Sequence, residues 1–127
     1  MEGELHSAAS GGTYRMPAEW SPHQATWISW PHNTDTWPGH LPGVERTMAE
    51  AVGALASSEL VRINVRDADH GYHVQKLLAG RVPPERVIIH QFPTNDAWCR
   101  DHGAIFVTRS GPGGVPLLAL DFEYNAW

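Results

Sequence analysis

A chain of 127 residues has room for one domain with one core. Nine Lys and Arg against fourteen Asp and Glu leave a formal net charge of −5. With no basic run in the chain, that balance points away from nucleic acid and from anionic membranes as partners. One cysteine excludes an intrachain disulfide.

Residues 1–13 carry Glu2, Glu4 and small residues without a basic start or an apolar run. They read as a disordered leader rather than a signal peptide, and the default compartment is the cytoplasm. Met16-Pro17 to His23 is an extended, proline-rich loop. Gln24 to Trp30 alternates and reads as a strand covered on both faces. Pro31-His32-Asn33-Thr34-Asp35-Thr36-Trp37-Pro38-Gly39 is a turn-rich loop at that strand's carboxyl end. It is either a structural loop whose Asn and Asp satisfy backbone amides or one wall of a substrate site.

Val44, Met48, Ala51, Val52 and Leu55 recur at three- and four-residue intervals and predict a helix over 44–56 with one apolar stripe. Leu60 to Val65 alternates as a strand. Asp67 or Asp69 can cap a helix over 71–79, with Val74, Leu77 and Leu78 inward and Gly80 just past its end. Pro83-Pro84 leads into a strand over 86–91. A strand at Ile105–Thr108, a turn at Ser110-Gly111-Pro112-Gly113-Gly114 and a strand at 117–122 complete an α/β pattern with an antiparallel pair.

The chemistry concentrates in Pro93-Thr94-Asn95-Asp96-Ala97-Trp98-Cys99-Arg100-Asp101-His102-Gly103, a loop between two strands. Two carboxylates and an indole suit a planar cation such as guanidinium, which takes bidentate pairing and stacking. The plainer reading makes Asp96 a turn residue bonding nearby amides and Asp101 an exposed partner for Arg100, though neighbours on an extended segment point to opposite sides and pair awkwardly. Cys99 would need a depressed pKa and an adjacent base to act as a nucleophile. His102 lies three residues on, but an extended 98–101 segment would make the thiol a small buried hydrophobe instead. Eight histidines show no compact zinc spacing; His70-x-x-His73 comes nearest, without cysteines in support, and a metal site is not expected.

Several segments together resemble the agmatine deiminase family, which includes the bacterial-type peptidylarginine deiminases. They are Met-Pro-Ala-Glu-Trp at 16–20, His-Gln-Ala-Thr-Trp at 23–27, Trp-Pro-His-Asn at 30–33 and Thr-Trp-Pro-Gly at 36–39. The segment at 93–103 is similar to that family's Asp-x-Trp-x-Arg-Asp. Phe-Glu-Tyr-Asn-Ala-Trp at 122–127 is similar to its Phe-Asn-Ala-Trp-Gly-Gly, with residues inserted after the Phe.

The resemblance implies a pentein-type α/β-propeller, of whose five ββαβ blades this chain would supply about two. Residues 14–127 would be the N-terminal part of a deiminase domain, truncated at its C-terminus. It implies hydrolysis of a guanidinium group, most simply agmatine, to a ureido group and ammonia, with no metal or organic cofactor. Carried over by position, Asp101 is the catalytic carboxylate that binds the guanidinium and Trp98 the aromatic wall. Asp96 and Asn125 join the substrate contacts, and Arg100 anchors the loop. The family's nucleophilic cysteine and catalytic histidine lie in segments this sequence lacks. Cys99 sits at a variable position, so the chain alone is expected to be silent and poorly stable. A stand-alone fragment binding a cation or a partner chain, and a hydrolase using Cys99 and His102, are the competing readings.

Overall fold

The computed structural model describes residues 12–111 and 117–124. In chain order the elements are β1 (Thr13–Arg15), β2 (Ala25–Ser29), α1 (Leu41–Ala56), β3 (Leu60–Val65) and α2 (Ala68–Leu78). A 3-10 turn (Pro84–Arg86), β4 (Val87–Gln91), the short α3 (Cys99–His102), β5 (Ile105–Ser110) and β6 (Leu117–Leu120) follow. Two compact units emerge, one of Pro22–Asp101 and one combining the described parts of 1–21 and 102–127.

In the first unit, β2, β3 and β4 form a parallel sheet with β3 central. Parallel neighbours need a crossover, and α1 and α2 supply the two. The burial of β3 alternates strictly: Val61, Ile63 and Val65 are buried, while Leu60, Arg62 and Asn64 are half-buried. The buried set packs on Ala49, Val52 and Ala56 of α1 and Val74 and Leu78 of α2, with Ile28, Val87 and Ile89 flanking. Burying each Val or Ile contributes roughly 1.5–3 kcal/mol.

Both helices lie on that one face, so the expectation that β2 is covered on two sides fails. Trp27 points to the other face and is 43% exposed. There its ring stacks on His90 at 4.7 Å, and the Arg62 guanidinium lies over it at 5.4 Å.

Helix α1 starts three residues before the predicted Val44, because Pro42 suits a first turn whose N–H groups lack helical partners anyway. Its buried face is Glu45, Ala49, Val52 and Ala56, rotated from the expected stripe, and Ala51 is exposed. The rotation follows from Glu45. Its Oε1 accepts from Trp30 Nε1 at 2.9 Å and meets His73 Nε2 at 2.9 Å. The indole so held is fully buried. Helix α2 also begins early, capped by Asp67, whose Oδ1 accepts from the His70 amide at 2.8 Å. Gly80 follows the helix at φ +72°, a conformation that favours glycine.

In the second unit β1, β5 and β6 form an antiparallel sheet with β5 central. Strand β1 was unexpected, since Thr13 falls inside the predicted leader. Its partner, β5, lies nearly a hundred residues away (Thr13 opposite Ser110), a pairing no local pattern reveals. Val107 is the buried residue of this sheet, while Ile105, Phe106, Leu117 and Leu120 are exposed. The predicted turn lies partly, and most of the leader wholly, outside the described residues.

The α/β class stands, with one parallel and one antiparallel sheet. Neither sheet closes on itself, and the parallel unit runs β-α-β-α-β, the order read from the sequence. Among the described residues no helix is long and apolar enough to cross a membrane.

Two stability measurements check this packing. Trp30→Phe removes one of two donors to a buried carboxylate, and denaturant titration should show a loss of about 1–3 kcal/mol. An unchanged midpoint would mean that Glu45 does not depend on the indole. Burial holds the His70 imidazole below its ordinary pKa, helped by His32 and Arg66. Its contribution is therefore complete above the unfolded value of about 6.5 and falls away as acid protonates it below that. Stability should fall as the pH drops below about 6.5, and His70→Asn should flatten that slope.

Candidate functional site

Because β2, β3 and β4 run parallel, the segments leaving their carboxyl ends share one edge of the sheet, where open α/β sheets bind ligands. The segment after β2 is the turn-rich loop 30–40, and the segment after β4 is the chemistry-bearing loop 92–98. Since β3 lies between those strands, any contact joining the two loops must pass across its end.

Three contacts join them. Thr36 Oγ1 donates to Asp96 Oδ2 at 2.5 Å. Asn33 Nδ2 donates to the Asn95 carbonyl at 3.4 Å. The indoles of Trp37 and Trp98 lie 6.1 Å apart between centroids, tilted by 31°. Each loop is also braced internally. Asn33 Oδ1 accepts from the Asp35 amide at 2.9 Å, and the Trp37 amide donates to the Asn33 carbonyl at 3.2 Å.

The second oxygen of Asp96 accepts from the Ala97 amide at 2.7 Å. Burial disfavours its charge, but hydrogen bonds from Thr36, Ala97 and Trp98 outweigh that and hold the carboxyl below the usual carboxylate range. Both oxygens thus have internal partners. The geometry fits the turn-forming alternative read for Asp96 from the sequence.

Beyond Asp96 the chain turns into α3 rather than running extended as predicted. The Asp101 amide donates to the Trp98 carbonyl at 3.1 Å and the Cys99 amide to the Ala97 carbonyl at 2.9 Å. The expected alternation of side chains therefore fails. Trp98 is 43% exposed and Asp101 is exposed, so an indole and a carboxylate three residues apart in one turn of a pinned loop are both open to solvent.

Cys99 is half-buried, with Sγ 2.9 Å from Ser29 Oγ. Asn64 Nδ2 donates to the same hydroxyl at 3.3 Å. The thiol therefore meets a hydroxyl rather than the apolar packing expected of it. The His102 ring lies 6.4 Å from that of Tyr124.

His70 and His73 serve different partners. His70 Nδ1 accepts from the Arg66 amide at 3.1 Å, and His73 meets Glu45. Among the described residues no three His, Cys, Asp or Glu side chains gather to hold a metal ion. Asn125 lies outside the described residues. Thr36 and Trp37 were read from the sequence only as members of the 31–39 loop and its Thr-Trp-Pro-Gly segment, without roles of their own. The available signal was the parallel topology, which brings the loops after the first and third strands of a βαβαβ unit to one edge.

The sequence model of the Porphyromonas-type peptidyl-arginine deiminases matches residues 15–127. The agmatine deiminase of Stutzerimonas stutzeri (strain A1501) is 32% identical over 116 residues, covering 90% of this chain and 29% of that protein. The agmatine deiminase of Ectopseudomonas mendocina (strain ymp) is 32% identical over 114 residues, with 90% and 29% covered. Among solved structures, a cysteine-to-serine variant of the C. jejuni agmatine deiminase with substrate bound superposes with a TM-score of 0.75. That match is 26% identical and covers 94% of this chain and 32% of that one. This chain therefore spans under a third of the length of the curated relatives it matches. With nearly all of its residues matched by one family, the chain belongs to the Porphyromonas-type peptidyl-arginine deiminases.

Proposed function

We propose that this chain is the N-terminal segment of a guanidine-hydrolysing deiminase whose substrate is agmatine, converted to N-carbamoylputrescine and ammonia on the way to putrescine. The observation that carries the reading is the pairing of an exposed indole, Trp98, with an exposed carboxylate, Asp101, on a loop pinned at a parallel-sheet edge. A planar guanidinium stacks on the one and pairs in bidentate fashion with the other. The loop would hold the cation; the attack on its carbon would come from elsewhere in the domain.

In the chemistry this reading carries, a thiolate adds to the guanidinium carbon and ammonia leaves with a proton from a histidine. Water then displaces the thiolate from the resulting thiouronium, leaving the ureido product. A carboxylate on the guanidinium nitrogens fixes the carbon in line for attack. Cys99, hydrogen-bonded to Ser29, is not assigned the nucleophile's role. The two open sheets are read as parts of a five-bladed ring of ββαβ units, and the reaction as cytoplasmic. Peptidyl-arginine is the alternative substrate of the same chemistry.

A second reading, a stand-alone chain that binds a cation or a partner, draws support from the uncovered aromatics Trp27, Phe92, Phe106 and Phe122.

Ammonia release from agmatine, by this chain and by its reading frame extended downstream, separates the readings. The extended protein should be active and the 127-residue chain silent. Asp101→Ala in the extended protein should lower kcat/KM by about 10²-fold or more, as removal of a preorganised charge partner does. Activity in the short chain alone would move the nucleophile to Cys99. In that case the thiol should react readily with iodoacetamide near neutral pH, whereas an inert thiol excludes it.

A further inference from the structure

Within the deiminase reading, we propose that Thr36 is a positioning residue for the guanidinium site. Its hydroxyl clasps Asp96, and through Asp96 it sets the plane of the Trp98 indole and the approach of Asp101. The inference rests on the substrate class proposed above.

Thr36 and Asp96 are sixty residues apart in sequence, and their contact crosses the end of β3. Its acceptor is an ionised carboxylate, which makes it the strongest of the three contacts between the loops. The amide–carbonyl contact of Asn33 with Asn95 is long at 3.4 Å, and the third contact is between rings. Asp96 also receives the Ala97 amide, and Ala97 precedes Trp98 directly. One carboxylate therefore ties the incoming loop to the backbone that carries the indole. From Trp98 the chain enters α3, whose first turn contains Asp101 and is closed by the bond from the Asp101 amide to the Trp98 carbonyl. The orientation of both proposed cation contacts thus follows from a single anchor.

The neighbour of Thr36 points the same way. Trp37 lies against Trp98, and its Nε1 is buried with no hydrogen-bond partner. An orphaned buried donor is unfavourable, so nothing polar fixes the Trp37 ring where it sits. Ring contact with Trp98 and attachment to Thr36 keep it there. The centroid distance of 6.1 Å is shorter than the separation of about 7 Å that a flat cation between two rings would require, at about 3.5 Å per contact. A flat cation therefore does not lie between the two rings, and it meets Trp98 on the indole surface open to solvent.

The test uses the extended protein and three variants. Thr36→Val keeps the side chain's shape and removes the donor, Thr36→Ser restores the donor, and Asp96→Asn weakens the acceptor. A merely structural hydroxyl would alter melting and leave the kinetic constants of the folded enzyme alone.

The proposal expects KM for agmatine to rise about tenfold in Thr36→Val, as for a lost hydrogen bond to a charged group, with kcat within about twofold. Thr36→Ser should return KM to the wild-type value. Asp96→Asn should repeat the KM effect without adding to it in the double variant. An unchanged KM in folded Thr36→Val, while Asp101→Ala destroys activity, overturns the proposal and leaves the deiminase reading standing. If Thr36→Val does not fold, Thr36→Ser and Asp96→Asn decide, since a wild-type KM in Asp96→Asn overturns the clasp by itself. A wild-type extended protein that releases no ammonia overturns the deiminase reading and the proposal with it.

Discussion

Parallel pairing of β2, β3 and β4 is the constraint on which this unit depends. Strands that run the same way cannot be joined by tight turns, so the chain must cross back each time, and it does so through α1 and α2. Two consequences follow. Both helices fall on one face and build the core there. All the segments leaving the strands fall at one edge, so residues 30–40 and 92–98, far apart in sequence, become neighbours. The candidate site is a product of the strands' common direction and connectivity more than of any one residue.

The energetics divide along the same line. Apolar burial holds the helix-covered face, reinforced by one buried carboxylate that fastens α1 to the end of β2 through Trp30. Contacts at the edge are polar and aromatic, with exposed members. The far face of the sheet carries Trp27, Arg62 and His90, stacked on one another but uncovered within the unit. A segment so arranged has a firm base and a working edge. An edge of hydrogen bonds and half-exposed rings can adjust to a ligand at little cost to the core.

Much of this was legible in the sequence, for local reasons. Strand β3 announces itself by its alternation, and α2 by Asp67, its apolar spacing and Gly80, because those signals are set by neighbouring residues. What failed was what depends on distant partners. Strand β1 exists because β5 pairs with it across the length of the chain. The buried face of α1 is turned by Glu45, which reads as a surface residue until Trp30 and His73 are placed beside it. In the candidate site, Trp98 and Asp101 stand out by residue type and by family resemblance. Thr36 is an ordinary threonine until the topology sets it against Asp96. The helical turn of 99–102 was missed because residues 98–101 were read as an extended run into β5, while the turn-forming reading of Asp96 fits its bond to its own loop.

The central claim is that a guanidinium cation is received by Trp98 and Asp101. It is tested most directly by following the indole N–H signals of the extended protein by NMR during titration with agmatine, and in parallel with putrescine, which carries amines but no guanidinium. The account predicts a saturable shift of the Trp98 signal with agmatine, absent with putrescine and lost in Asp101→Ala. A Trp98 signal that ignores agmatine, or that moves equally with both amines, would contradict it.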